Sequence, residues 1–453
     1  MDRPVRAVII GAGQRGRAYA EYALERPDLF QVVGVAEPVT YWRDHTASTY
    51  GIPSDAVFTT WEDAAAKPKF ADCVIIATQD SMHAEPAIAF ADLGYHILLE
   101  KPMAVTKDDC IRIHAAATRN NVLLAVCHVM RCTPYSLKLR ELIASGAIGK
   151  VVNIQHIEPV GFWHQVHSFV RGHWRNQAEA TFMLMAKSCH DIDYINFLMQ
   201  KDVRAVSSFG SLYHFRKEEK PDGAGDRCLE CPIEASCVYS AKKMYLGVDD
   251  APTSFEPIEI EQCDGARATV KPSNQSWYTG KASASQGNQG WPVNVLHEHP
   301  TVDNITHELA TGRYGRCVYE CDNDVVDNQV VNFQFVDGAT ASFSMVAFTE
   351  QQCVRTTRVF GTHGELTGNG SSIRHFDFLS RKITEITPAG LPSTSKVKGH
   401  GGADFFMIEN FVHGVRTNDA SVLLTGADES LASHLMVFAA EEARLTDAVV
   451  HMT

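Results

Sequence analysis

Gly11, Gly13 and Gly16 are spaced as G-x-G-x-x-G, with Gln14 and Arg15 between the second and third glycines. An apolar run, Val5–Ile10, leads into them and an Ala-rich stretch leads out. That order predicts a strand, a turn and a helix. Gly11 would make the tight turn, Gly13 would let a pyrophosphate approach the backbone, and Gly16 would let helix and strand pack. Glu37 closes a second apolar run about twenty residues further on, where a carboxylate grips a ribose 2′-hydroxyl. The combination predicts a dinucleotide site that favours NAD over NADP.

Two other segments concentrate reactive side chains. Residues 161–175, GFWHQVHSFVRGHWR, crowd histidines, arginines and tryptophans together with no regular period. Sugars are held by hydrogen-bonding edges and aromatic faces, so His164, His167, Arg171, Trp174 and Arg175 are expected to contact a substrate or an anionic group on it. Residues 312–327 concentrate polar groups in the same way, and Tyr319, Asn323 and Asp324 are expected in the same cleft. Cys228, Cys231 and Cys237 form C-x-x-C-x5-C, a spacing that suits a structural zinc with a fourth ligand from Cys263, Cys317, Cys321 or a histidine. Unmetallated thiols are the leading reading, and the zinc site is the alternative to it.

The elements that must position these residues follow from the hydrophobic pattern. Strands are expected at 5–10, 31–36, 72–77, 96–100 and 123–127 with helices between most of them, which is a parallel doubly wound sheet over residues 1–130. Ligands bind beyond the carboxyl ends of such strands, at Gly11 to Gly16, Glu37, Thr78 with Asp80, Lys101 and His128. Residues 131–453 read as an α+β domain with a mixed or antiparallel open sheet, from alternating runs at 151–157, 330–336 and 339–348. An irregular Cys-containing insertion is expected at about 216–299, and 269–290 reads as a mobile loop. Helices at about 404–415 and 428–445 are expected to cover one sheet face.

The chain has 453 residues, 45% hydrophobic and 21% charged, with a net charge of -13. The acidic excess excludes the basic footprint of a nucleic-acid partner. No apolar run reaches the roughly 20 residues that cross a bilayer, and the first strand begins too early to leave space for a signal peptide, so a cytoplasmic enzyme is expected. Its twelve cysteines are then expected to be mostly reduced.

The motif EKP at Glu100–Pro102 follows ATQDSMH at Ala77–His83. With HVMRCTPY from His128, KSCHDID from Lys187 and GTHGEL from Gly361, it resembles the Gfo/Idh/MocA family of sugar and polyol oxidoreductases. The resemblance implies a Rossmann domain followed by an open-sheet domain that forms homo-oligomers, dimers or tetramers, with nicotinamide and substrate meeting between the two. It places Glu100, His83 and Lys101 at the cofactor, Lys101 beside the reacting carbon, His190 as acid/base and Asp191 among the substrate contacts. The family's usual acid four residues before the histidine is Ala186 here, and Lys187 is expected to act as a second cation. Cys189 is expected to be a packed thiol. The implied activity is NAD-dependent oxidation of a sugar, glycoside or cyclic polyol. Two alternatives stay open: a glycosidase that oxidises C3 transiently, eliminates and re-reduces, and a non-catalytic NAD-binding regulator.

Overall fold

Six short apolar runs pair as parallel strands: β1 (Val5–Ile10), β2 (Phe30–Ala36), β3 (Val57–Phe58), β4 (Cys73–Ile76), β5 (His96–Leu99) and β6 (Leu124–Val126). Their order is β3-β2-β1-β4-β5-β6. The computed structural model describes residues 3–247, 258–261, 267–270, 283–391 and 395–452. The four residues of β4 are all buried, as expected for a strand covered by helices on both faces. Neighbours on opposite sides of β1 open a crevice beyond its carboxyl end, the switch point where such sheets take ligands. The edge strand β3 was not expected, because two residues carry no period.

The second sheet draws on β7 (Val151–Pro159), β8 (Val203–Ser211), β11 (Asn328–Phe335), β12 (Thr340–Val346), β13 (Thr356–Gly361), β14 (Gly364–Gly368), β15 (Ile373–Asp377), β16 (Ile383–Ile386) and β17 (Val450–His451). A separate ribbon pairs β9 (Ile258–Glu261) with β10 (Arg267–Val270). The large sheet runs β16-β15-β14-β13-β7-β12-β11-β8-β17, and it is mixed because β7 and β12 are parallel while their other neighbours are antiparallel. Burial alternates residue by residue along β11, so one face is covered and the other open. Helices Cys189–Met199 and Ala427–Thr446 pack on the covered face, and the GTHGEL segment is the β13–β14 hairpin.

The closing helices correct one expectation. They do not share a sheet face. Ala427–Thr446 packs on β8 and on the Rossmann helix Lys107–Arg119, while Ala403–Thr417 joins the Rossmann core, where Phe405, Met407, Ile408 and Phe411 pack with Tyr22, Phe30 and Val129. Amphipathic spacing shows that a helix has an apolar face but not what covers it. The insertion also differs from expectation. Its Tyr239, Met244 and Tyr245 share a separate core with the flanking Phe215, Ile305 and Tyr314 and with Trp163 and Val166. Residues 162–170, read as aperiodic, are the helix Phe162–Gln165 running into a wider π-helical turn, Val166–Val170, whose changed pitch hides the usual period. Most of the expected mobile loop 269–290, and Cys263, lie outside the described residues.

Candidate active site

The glycine turn has the geometry its spacing predicts. Gly11 has φ +89°, and a Cβ there would lie 2.6 Å from Ala77 O at the end of β4. A Cβ on Gly16 would lie 2.0 Å from Gly11 O, whereas one on Gly13 would meet nothing within 4 Å. The turn is thus closed where chain meets chain and open where a pyrophosphate would lie, so these residues fit a dinucleotide. Helix Gln14–Ala20 starts at Gly13 with no side-chain cap. Glu37 stands at the end of β2 as expected, and its carboxylate also braces the turn: it accepts from Ala12 N at 2.7 Å and from Val39 N at 2.8 Å.

Around EKP the side chains interlock. Lys101 Nζ donates to Ala186 O at 2.7 Å, so the position lacking the family's usual acid still engages the lysine through its backbone. The Lys101 ammonium also lies 6.0 Å from the Trp174 ring, and Trp174 Nε1 donates to Asp80 Oδ2 at 2.9 Å. Burial raises the Asp80 carboxyl's pKa against the opposing pull of Lys101, His83 and Trp174. His83 Nδ1 lies 2.7 Å from Pro102 O and holds the EKP turn. Glu100 accepts from Arg15 Nε at 2.6 Å and from Lys101 N at 2.8 Å.

His190 lies beside this group, 5% exposed, with neither ring nitrogen hydrogen bonded. Its ring centroid is 5.8 Å from that of His128 and 6.0 Å from that of His400. Burial, then the charges of Lys101, His128, His400 and Arg355, hold its pKa well below the ordinary imidazole value. His128 is likewise buried with neither nitrogen hydrogen bonded among the described residues, its Nε2 3.8 Å from Asp193 Oδ1, and burial lowers it to about 3. Asp193 does not orient His190: it forms a bidentate pair with Arg131 at 2.6 and 2.7 Å.

Lys187 departs from its expected role. It pairs with Glu158 at 3.2 Å and lies 3.0 Å from Cys353 Sγ; burial opposes its charge, but Cys353 and Glu158 outweigh it and raise the pKa. Arg355 bridges Glu158 at 3.1 Å and Asp191 at 2.6 Å, and Asp191 also meets His156 Nε2 at 2.9 Å. His164 joins this network at 3.6 Å from Cys353 Sγ. The other expected substrate contacts are engaged within the insertion and the segments that pack around it. His167 bonds Tyr245 Oη at 2.8 Å, Arg171 donates to Arg316 O and Tyr239 O, and Arg175 pairs with Glu179 and Asp322. Tyr319 Oη meets His214 at 3.1 Å and Asn323 donates to Phe215 O. Their polar density reflects a small core with few strands to satisfy its backbone.

The zinc alternative finds no support among the described residues. Cys228, Cys231 and Cys237 do line one cavity of about 240 Å³. Yet among the described residues no three His, Cys, Asp or Glu side chains are grouped to hold an ion. Cys228 Sγ instead takes a hydrogen bond from Arg171 at 3.2 Å, and Cys231 Sγ takes one from Gly225 N at 3.3 Å.

Sequence reasoning missed His400 and Asp404. The segment G-H-G-G-A-D carried a usable signal, a histidine among glycines with a carboxylate four residues on. In the fold His400 Nδ1 meets Asp404 Oδ1 at 2.9 Å, and Arg15 clamps Asp404 at 2.6 and 2.9 Å.

Comparison with known proteins agrees with this architecture. The profile described as "Oxidoreductase family, NAD-binding Rossmann fold" matches residues 5–128, and the GFO/IDH/MocA C-terminal domain matches residues 136–244. YteT of Bacillus subtilis (strain 168), provisionally named an oxidoreductase, is 21% identical over 79% of this chain and 76% of its own. The 2,7-anhydro-N-acetylneuraminate hydratase of Escherichia coli (strain K12) is 28% identical, over only 33% of this chain and 39% of its own. A solved levoglucosan dehydrogenase, in complex with NADH and levoglucosan, superimposes with a TM-score of 0.67 at 16% identity, covering 99% of both chains. At that identity the likeness shows the fold alone.

Proposed function

The chain belongs to the Gfo/Idh/MocA family of NAD-binding oxidoreductases, and from that premise we propose that it is an NAD-dependent dehydrogenase of a sugar, glycoside or cyclic polyol. The observation that carries this reading is His190, a buried imidazole with two unpaired nitrogens beside the Lys101 ammonium at the switch-point crevice. Gly11, Gly13 and Gly16 would hold the pyrophosphate and Glu37 the adenosine ribose. Bound there, the nicotinamide supplies a hydride acceptor. Lys101 stabilises negative charge on the substrate oxygen as its proton departs, and His190, held neutral by burial and neighbouring cations, accepts that proton. The Glu158, Arg355, Asp191 and Lys187 network supports the wall behind them. The open face of the large sheet exposes Val152, Ile157, Phe209 and Val330, which supports a homo-oligomer that sedimentation would size.

The test is a panel of sugars, polyols and aryl glycosides with NAD and NADP, followed for reduced cofactor and for released aglycone. Net NAD reduction is expected. Lys101→Met and His190→Ala should each lower kcat about 100-fold or more while leaving NAD binding intact. Aglycone release in deuterated water with deuterium at C2 and no reduced cofactor would replace this reading with the transient-oxidation glycosidase.

A further inference from the structure

Oxidising a secondary alcohol sends its carbon-bound hydrogen, as hydride, to NAD+ and leaves a ketone, NADH and one proton from the hydroxyl. That proton must reach water on every turnover. His190, which takes it under the reading above, is 5% exposed and has no hydrogen-bonded partner among the described residues to pass it to. His128 is more deeply buried still, and Lys101 is tied to Ala186 O. Among the described residues around His190, His400 combines proximity, with ring centroids 6.0 Å apart, and a side chain 43% exposed to solvent.

We propose that His400, oriented by Asp404, is the relay residue that carries the proton between His190 and bulk water. Asp404 accepts from His400 Nδ1 at 2.9 Å, which fixes the tautomer and leaves Nε2 to take or give the transferred proton. Asp404 is fully buried, and although burial opposes its charge, Arg15 and His400 hold its pKa below the usual carboxylate range. Arg15 ties the dyad to the dinucleotide turn and, through Glu100, to the backbone of Lys101. The loop is built for this placement. His400 adopts φ +49° between glycines, Gly401 and Gly402 have φ +66° and +96°, and a Cβ on Gly399 would overlap Asp404 Oδ2. No packing need explains a half-exposed histidine held in left-handed backbone. The titratable and charged groups facing the pair are Asp404 and Arg15 at His400, and Lys101, His128 and Arg355 at His190.

This inference rests on the dehydrogenase reading, and its test separates the two. His400→Asn removes the titrating ring while tolerating the left-handed backbone; His400→Gln is the second variant. In cofactor-free protein with labelled histidines, the His190 ring should titrate at higher pH in either variant, because a neighbouring positive charge has gone. With NAD and a substrate from the panel, kcat should fall about tenfold with KM within about twofold, and added imidazole should restore part of the loss. An unmoved His190 titration overturns the coupling whether or not a substrate is known. An active wild type beside a variant of unchanged kcat, or one that imidazole does not rescue, overturns the relay alone. Two variants that no longer bind NAD would make the role structural and also overturn it. A wild type that reduces no NAD with any substrate overturns the dehydrogenase reading, and the relay with it.

Discussion

Lys187 shows how a cation three residues from the reacting histidine is directed away from it. Its ammonium neutralises Glu158 and meets Cys353, while Arg355 balances Glu158 and Asp191 from the other side. Removing one member of a buried ionic group leaves the rest uncompensated, so Lys187→Met should destabilise the fold by about 3 kcal/mol in urea denaturation. Pairing it with Glu158→Gln should recover most of that loss. A Lys187→Met protein of native stability would mean that the pair is already solvated. The residues legible from sequence were those carried by compact motifs, Gly11, Gly13 and Gly16 in one turn and Lys101 in EKP, although the contacts of Gly11 with Ala77 O and of Lys101 with Ala186 O could not be read from them. The Arg15 clamp on Asp404 was not legible, because Arg15 comes from the other end of the chain and no period links them.

Turns and helices carry a different lesson. The β1 turn is closed by its contact with β4, so Gly11→Ala forces a Cβ against Ala77 O and should abolish NAD binding in calorimetry. Gly13→Ala has room in the empty turn, and its penalty should appear only when cofactor is added. Equal losses of stability in the two variants would contradict that division. Strands were legible where one period dominated: β7, β11 and β12 alternate cleanly, and the short β1 and β4 are continuously apolar. The insertion was not, because its core is gathered from residues as separated as Trp163, Tyr245, Tyr314 and Ala347, on turns too short to show a period.

Across the whole molecule, buried histidines set the acid limit. Burial depresses His128 and His167 to about 3 and His173 and His434 to about 4, with His164 and His190 also well below 6.5. The unfolded chain binds these protons first, so the stability is complete above about 6.5 and is lost as pH falls toward the folded values. Three such groups alone imply about 4 kcal/mol per pH unit. The depressed carboxylates of Asp191, Asp193 and Asp404 add their loss only below about pH 4, where the unfolded chain begins to take up those protons. The urea midpoint should therefore drop steeply between about pH 6.5 and 5, before those depressed carboxylates titrate. A flat profile over that interval would show the imidazoles to be hydrated.

The return of Ala403–Thr417 to the first sheet also governs how this protein is made. On the ribosome, the nucleotide-binding half emerges first, yet the apolar surface around Tyr22, Phe30 and Val129 waits for Phe405, Met407 and Phe411. A nascent chain stalled before that helix should be protease-sensitive and bound by chaperones, and one stalled after it should be protected.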